Sequence, residues 1–397
     1  MAEERSEGAE IVGGPKLFAA SLGVMFACAT PGLAATQSAV DCGAGGNLQA
    51  AINAAKPGTI ISVAGTCHGT FTVGKNLVLK GVSAAVLDAQ RAGTTLAVTA
   101  GKVRVTGMTI TGGDADVGGI RNSGTLTLIR DVITGNTANG DGTDTAGIEN
   151  RGTLIVQRST VTQNRGDDTG GLLNTGSATV AESTIGLNAI GITNSGSLTL
   201  TDSTVYRNHA TYIGGIANSG DMTVLRSTIA ENFAFNGHGG GIVNTSSGTV
   251  TIAQSTIAGN VADEAGGGIL NDGTVTITAS IVAGNESDSG DVPTDCADAG
   301  TTLSGGYNLF GTPCSAGPTD RAGTVDDPLG AMLKVLGDYG GKTMTMVPRP
   351  GSPAVNVIPI GAAGGLCPSS GSTDQRGIPR PQSGACDTGS VERKPKE

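Results

Sequence analysis

A pair of asparagines that recurs seven times at nearly constant spacing limits this chain more than any other feature. The first members are Asn122, Asn150, Asn174, Asn194, Asn218, Asn244 and Asn271, and the second are Asn136, Asn164, Asn188, Asn208, Asn232, Asn260 and Asn285. In six copies the two lie 14 residues apart; in the seventh the longer turn Thr245-Ser246-Ser247-Gly248 intervenes. Four aliphatic files accompany them. One follows a glycine directly (Ile120, Ile148, Leu172, Ile192, Ile216, Ile242, Ile269), two are spaced by two residues (Leu126 and Leu128, Leu154 and Val156, Val250 and Ile252, Val275 and Ile277), and one precedes the closing Asn by three (Ile133, Val161, Ile185, Val205, Ile229, Ile257, Val282). A period of two marks a strand with one buried face. Each copy therefore offers short strands that cannot bury themselves, and stacking the copies at about 4.8 Å joins every file into a dry column.

The pattern predicts an all-β right-handed parallel β-helix of about ten coils. Inward Asn at fixed turns fits it, because stacked amides hydrogen-bond from coil to coil and Asn tolerates left-handed backbone. A propeller needs longer antiparallel units, and helical repeats conflict with the period of two and the β-branched bias. From closing Asn to the next opening Asn the steps are 14, 10, 6, 10, 12 and 11 residues, so one edge of the solenoid carries the loops. Composition agrees: 66 Gly, 4 Tyr, 6 Phe and no Trp leave no aromatic-centred core. A net charge of -10 argues against a nucleic-acid partner, since no excess of Lys and Arg is available to displace counterions.

The ends read differently. Leu17 to Ala29 is an apolar run after Lys16, followed by the small-residue exit Pro31-Gly32-Leu33-Ala34-Ala35, so 1–35 reads as a signal peptide and the mature chain as lacking a membrane span. Residues 36–56 form an N-terminal cap, in which Asn47 to Ala55 reads as a short amphipathic helix closing the first coil. Coils fill 57–292. Six cysteines remain after Cys28 is removed, and an even number suits an oxidising compartment. Of 15 connectivities the simplest is sequence-local: Cys42 with Cys67, Cys296 with Cys314, and Cys367 with Cys386.

The last segment, 293–397, is rich in Pro and Gly. From about 280, Ser280-Ile281-Val282-Ala283-Gly284-Asn285, Gly306-Tyr307-Asn308-Leu309-Phe310-Gly311, Asp327-Pro328-Leu329-Gly330, Gly340-Gly341-Lys342-Thr343, Gly351-Ser352-Pro353-Ala354-Val355-Asn356, Asp374-Gln375-Arg376-Gly377, Arg380-Pro381 and Cys386-Asp387-Thr388-Gly389 follow one another. In that order they resemble the choice-of-anchor Q domain family of bacterial secreted and surface β-helix proteins, and the repeats are similar to those of polymorphic outer-membrane-type proteins. The resemblance implies export and display on a β-helical stalk and carries no catalytic residues. Where family members often continue into an anchor, this sequence stops at Glu392-Arg393-Lys394-Pro395-Lys396-Glu397, which favours free secretion or non-covalent attachment.

Candidate chemistry is sparse. The best acidic set is Asp144, Asp167 and Asp168 with His238, faintly similar to pectin-hydrolysing glycosidases; the plain alternative is solvated turn residues. Asp114 with Asp116, Asp141 with Asp144, and Asp263 with Glu264 are places for Ca2+ at loop edges, although no dedicated loop spacing is present and no cofactor is expected. Arg165-Gly166-Asp167 spells an adhesion tripeptide that chance alone also supplies. An outward file of Thr127, Thr179, Thr199, Thr223, Thr251 and Thr276, flanked by Thr125, Thr153, Thr249 and Thr274, suggests ice binding or simply good strand residues. The expected role is a secreted or cell-surface structural or adhesive protein touching cell-wall or host glycans or surface proteins without catalysis; a polysaccharide lyase or hydrolase on the loop edge comes second and ice binding third.

Overall fold

The computed structural model describes residues 36–139, 144–166, 168–288 and 295–397; the expected signal segment lies outside them. The described chain is a parallel β-helix of three long sheets and one short one. A typical coil contributes a three-residue strand to sheet C (Ile120–Asn122), a five-residue strand to sheet A (Thr125–Ile129), a three-residue strand to sheet B (Val132–Thr134) and, in later coils, a two-residue strand to sheet D (His209–Ala210). Sheets A and B are 12-stranded, sheet C is 10-stranded and sheet D is 4-stranded, with successive coils paired in parallel. Like residues sit on like: Asn122 on Asn150 on Asn174, and Leu126 on Leu154.

The solenoid runs beyond the repeat motif at both ends. Gln37–Asp41, in the expected cap, adds a strand to Thr59–Ala64, and Cys296–Asp298, Thr301–Gly306 and Leu309–Phe310, in the expected terminal segment, build another coil. Helix α1 (Leu48–Ala54) closes the first coil: Asn47 Oδ1 accepts the Ala50 N–H at 2.9 Å, and Leu48 and Ile52 plug the core. The disulfides are Cys42–Cys67, Cys296–Cys314 and Cys367–Cys386.

Inside, the aliphatic files form one core from Val40 to Cys314. The polar corners are satisfied by ladders. Asn122 Nδ2 donates to Asn150 Oδ1 at 2.7 Å, and the pattern repeats through Asn174, Asn194, Asn218, Asn244 and Asn271. The closing asparagines form a second ladder, from Asn136 to Asn285 and on to Asp295 Oδ1. A third, of serines, went unread in the sequence: each N–H of Ser159, Ser183, Ser203, Ser227 and Ser255 donates to the Oγ of the next. Stacking thus gives every corner amide a partner where no water reaches. The glycine before the first aliphatic file is equally constrained, since a Cβ on Gly171 would lie 2.1 Å from the Gly191 carbonyl oxygen.

After about residue 330 the chain leaves the coils and packs against the outward side of sheet B. Thr204 Oγ1 donates to the Met344 carbonyl at 2.6 Å, Thr228 Oγ1 to Gln375 Oε1 at 2.7 Å, and the Ser390 N–H to Thr256 Oγ1 at 3.1 Å. These outward threonines are buried as a result. Beneath this strap Arg376 bridges Asp374 (3.1 Å) and Glu397 (2.6 Å), while Arg380 donates to the carbonyls of Asp387 (2.7 Å) and Gly389 (2.6 Å) and lies 3.5 Å from Glu392. Burial pushes the Glu392 carboxyl up to about 7, and it raises Asp387 as well.

Candidate functional site

The corner between sheets B and D has an unusual make-up. The residue before each closing Asn must turn left-handed, and at the two ends of the stack it is glycine: Gly135, then Gly259 and Gly284. Between them stand Gln163, Leu187, Arg207 and Glu231, with φ of 47–58°. A side chain held there costs on the order of 1 kcal/mol per residue, and Leu187 is also 44 % exposed, so neither turn geometry nor core packing favours it. From Arg130 to Ala279 the neighbouring corner between sheets A and B is also non-glycine; there Arg158 pairs with Glu182, and Arg226 grips Asp202 through two hydrogen bonds of 2.8 and 2.9 Å.

The B–D corner borders a groove. Two adjoining hollows, of about 550 and 680 Å³, share Thr137, Arg165 and Leu187. Gln163 borders the first; Asn139, Arg207, His209 and Phe235 border the second. The walls come from five successive coils, a length of about 19 Å at the strand spacing. Sheet D sets the floor, because its parallel pairing places His209 beside Phe233. His209 meets Phe233 edge-on at 5.0 Å and Phe235 at 5.1 Å, and the two phenyl rings lie 6.4 Å apart at 20°. Arg207 is held by Glu231 at 2.6 Å. Such a surface can stack flat apolar faces and donate hydrogen bonds beside them.

The residues singled out in the sequence fall elsewhere. Asp144 is buried, and its N–H donates to Asp168 Oδ2 at 3.1 Å. His238 pairs instead with Glu264, Nε2 to Oε2 at 2.6 Å. The acidic loop and the histidine are thus partnered separately, while Asp167 and Asp141 lie outside the described residues, so the tripeptide is seen only as Arg165 and Gly166. Of the other carboxylates, Asp114 Oδ1 accepts from Asn139 Nδ2 at 2.8 Å and Asp263 Oδ2 from the Asn236 N–H at 2.7 Å. Among the described residues no three His, Cys, Asp or Glu gather as metal ligands. The threonine file lies in register across sheet A from Thr179 to Thr276, with Ile155 and Asp221 breaking the array. Sequence reading missed the groove because its aromatic and basic members sit in the irregular loop edge or just before the closing Asn. It also missed Glu149, buried on sheet C between Arg121 (3.1 Å) and Arg151 (2.6 Å).

No protein-family model matches the chain, and no curated protein does. Among solved structures it is similar to pectate lyase Pel9A, with a TM-score of 0.56 over 91 % of this chain and 98 % of that one, at 15 % identity. At that identity the likeness speaks for the fold, the parallel β-helix. Among the described residues no helix is long and apolar enough to cross a membrane.

Proposed function

We propose that this chain is an exported, surface-directed β-helix protein that holds glycans along its loop edge without cutting them. The observation that carries the reading is the groove across five coils, lined by the exposed Leu187, Phe235 and His209, with Phe233 packed edge-on against His209. Sugar rings present apolar faces that stack on such surfaces, while rim amides such as Asn139 and Gln163 serve their hydroxyls. Repetition along an axis also suits a chain-like ligand, which gains from several weak contacts at once. Export is supported by the apolar run before residue 35, by three disulfides, and by the resemblance of the terminal segment to choice-of-anchor Q proteins.

Catalysis is the second reading, favoured by the lyase that shares the fold. The groove walls offer no carboxylate among the described residues, which weighs against hydrolysis of a glycosidic bond, since that uses two; a lyase needs a single base and is left to the test. A glycan array run beside a polysaccharide-degradation panel, with and without Ca2+, decides between them. Retention without shortening of the chain is expected. Depolymerisation abolished by Asp168→Ala would replace this reading with the enzyme.

A further inference from the structure

Resting on the glycan reading, we infer that the groove selects sugars bearing a carboxylate or sulfate, and that Arg165 is the anchor for that charge. The whole chain carries a net charge of -10, yet the groove is lined by Arg165, Arg207 and His209, with no Asp or Glu among its described lining residues. The two guanidiniums differ. Arg207 already has its counter-charge in Glu231. Arg165 is exposed, lies where the two hollows meet, and makes no side-chain hydrogen bond or ion pair with any described residue. Its backbone is fixed, because the Arg165 N–H donates to the Asn136 carbonyl at 3.0 Å and the Ala138 N–H to the Arg165 carbonyl at 2.9 Å. A guanidinium with open donors on a fixed stretch of backbone matches a planar carboxylate or a sulfate, which it grips with two parallel hydrogen bonds.

The neighbours narrow the class. Leu187 and the Phe235 ring offer apolar contact on the same wall, which a free inorganic anion would not use. Thr137, Asn139 and Gln163 add neutral groups for hydroxyls. An acidic oligosaccharide, with one charge per ring or fewer, satisfies both halves of the wall.

The test is calorimetric titration of the full chain with a short galacturonate oligomer, its carboxyl-reduced neutral counterpart, and a sulfated galactan oligomer. One anionic form is expected to bind at least about tenfold tighter than the neutral one, with a preference that shrinks as salt is added. Arg165→Gln should remove most of that preference, lowering anionic binding by much more than neutral binding. Arg165→Lys should restore part of it, and Phe235→Ala should weaken all forms alike. Whether galacturonate or sulfated galactan binds better assigns the charge to carboxylate or sulfate within the same inference. Equal affinity for neutral and anionic forms, or an unaltered preference in Arg165→Gln, overturns the anchor while the glycan reading stands. Failure of all three probes to bind overturns both. An unchanged melting temperature in Arg165→Gln shows that the loss is one of binding.

Discussion

The coils between Ile120 and Asn285 and the strap after residue 330 bury polar groups by opposite means. In the coils every corner amide meets a copy of itself one turn away, as Asn174 meets Asn194 at 2.7 Å, so satisfaction is repetitive and nearly charge-free. In the strap the partners are all different: Arg376 with Asp374 and Glu397, Arg380 with two carbonyls and Glu392, and Gln375 reaching Thr204 and Thr228 on sheet B. A ladder can lose one rung and keep its neighbours. A mixed ionic cluster depends on each member, because removing one leaves an opposite charge buried alone.

Arg380→Met offers the sharpest way to break that contrast. It strips donors from two buried carbonyls and the neighbour from Glu392, and should cost about 3–5 kcal/mol. Limited proteolysis is expected to cut the strap early in this variant while circular dichroism keeps the signature of the coils; loss of both together would contradict separate modes of support. Asn194→Ala comes next. It takes one acceptor from the Asn174 amide, which keeps the Gly176 and Ser197 carbonyls, and leaves Asn218 Oδ1 without its donor, for about 1–3 kcal/mol, and should lower the denaturant midpoint of the coils themselves.

The two regions share a pH dependence. Asp131, which stands at the head of the serine ladder, and Glu392 in the strap are both pushed up to about 7, burial being the largest cause. Each holds its proton more tightly folded than unfolded, so the stability it contributes is complete below the ordinary carboxylate range and is lost as pH rises through about 7. The melting temperature should therefore fall between about pH 5 and pH 8. Asp131→Asn should flatten the fall in the coils and Glu392→Gln in the strap; a melting temperature that rises over this interval would contradict both assignments. Smallest of all is Thr223→Ala on the exposed face of sheet A, expected within about 0.5 kcal/mol by chemical denaturation.

The same contrast explains what could be read in the sequence. Asn122 to Asn271 and the aliphatic files announce themselves because each repeats its neighbour's solution. The serines before the last file, Ser159 to Ser280, repeat just as regularly, and their role was there to be found. The strap was opaque: Gln375 meets Thr204 across 171 residues of sequence, and no periodicity encodes a contact made once. Asp374-Gln375-Arg376-Gly377 and Arg380-Pro381, which carry the family resemblance, are legible as motifs, but only their burial shows that they hold the strap together. The groove was hidden for a third reason. Arg165 reads as part of an adhesion tripeptide, and Phe235 sits in a loop whose length varies, so only the stacking of coils brings them to one wall.

Hydrogen exchange on the protein with and without a bound acidic oligosaccharide tests the central claim most directly, because it locates the ligand on the solenoid. Slowed exchange is expected at 137–139, 163–166, 187–189, 207–210 and 233–235 with the oligosaccharide recovered at full length. Slowing confined to the threonine face of sheet A, or an oligosaccharide returned in fragments, would contradict it.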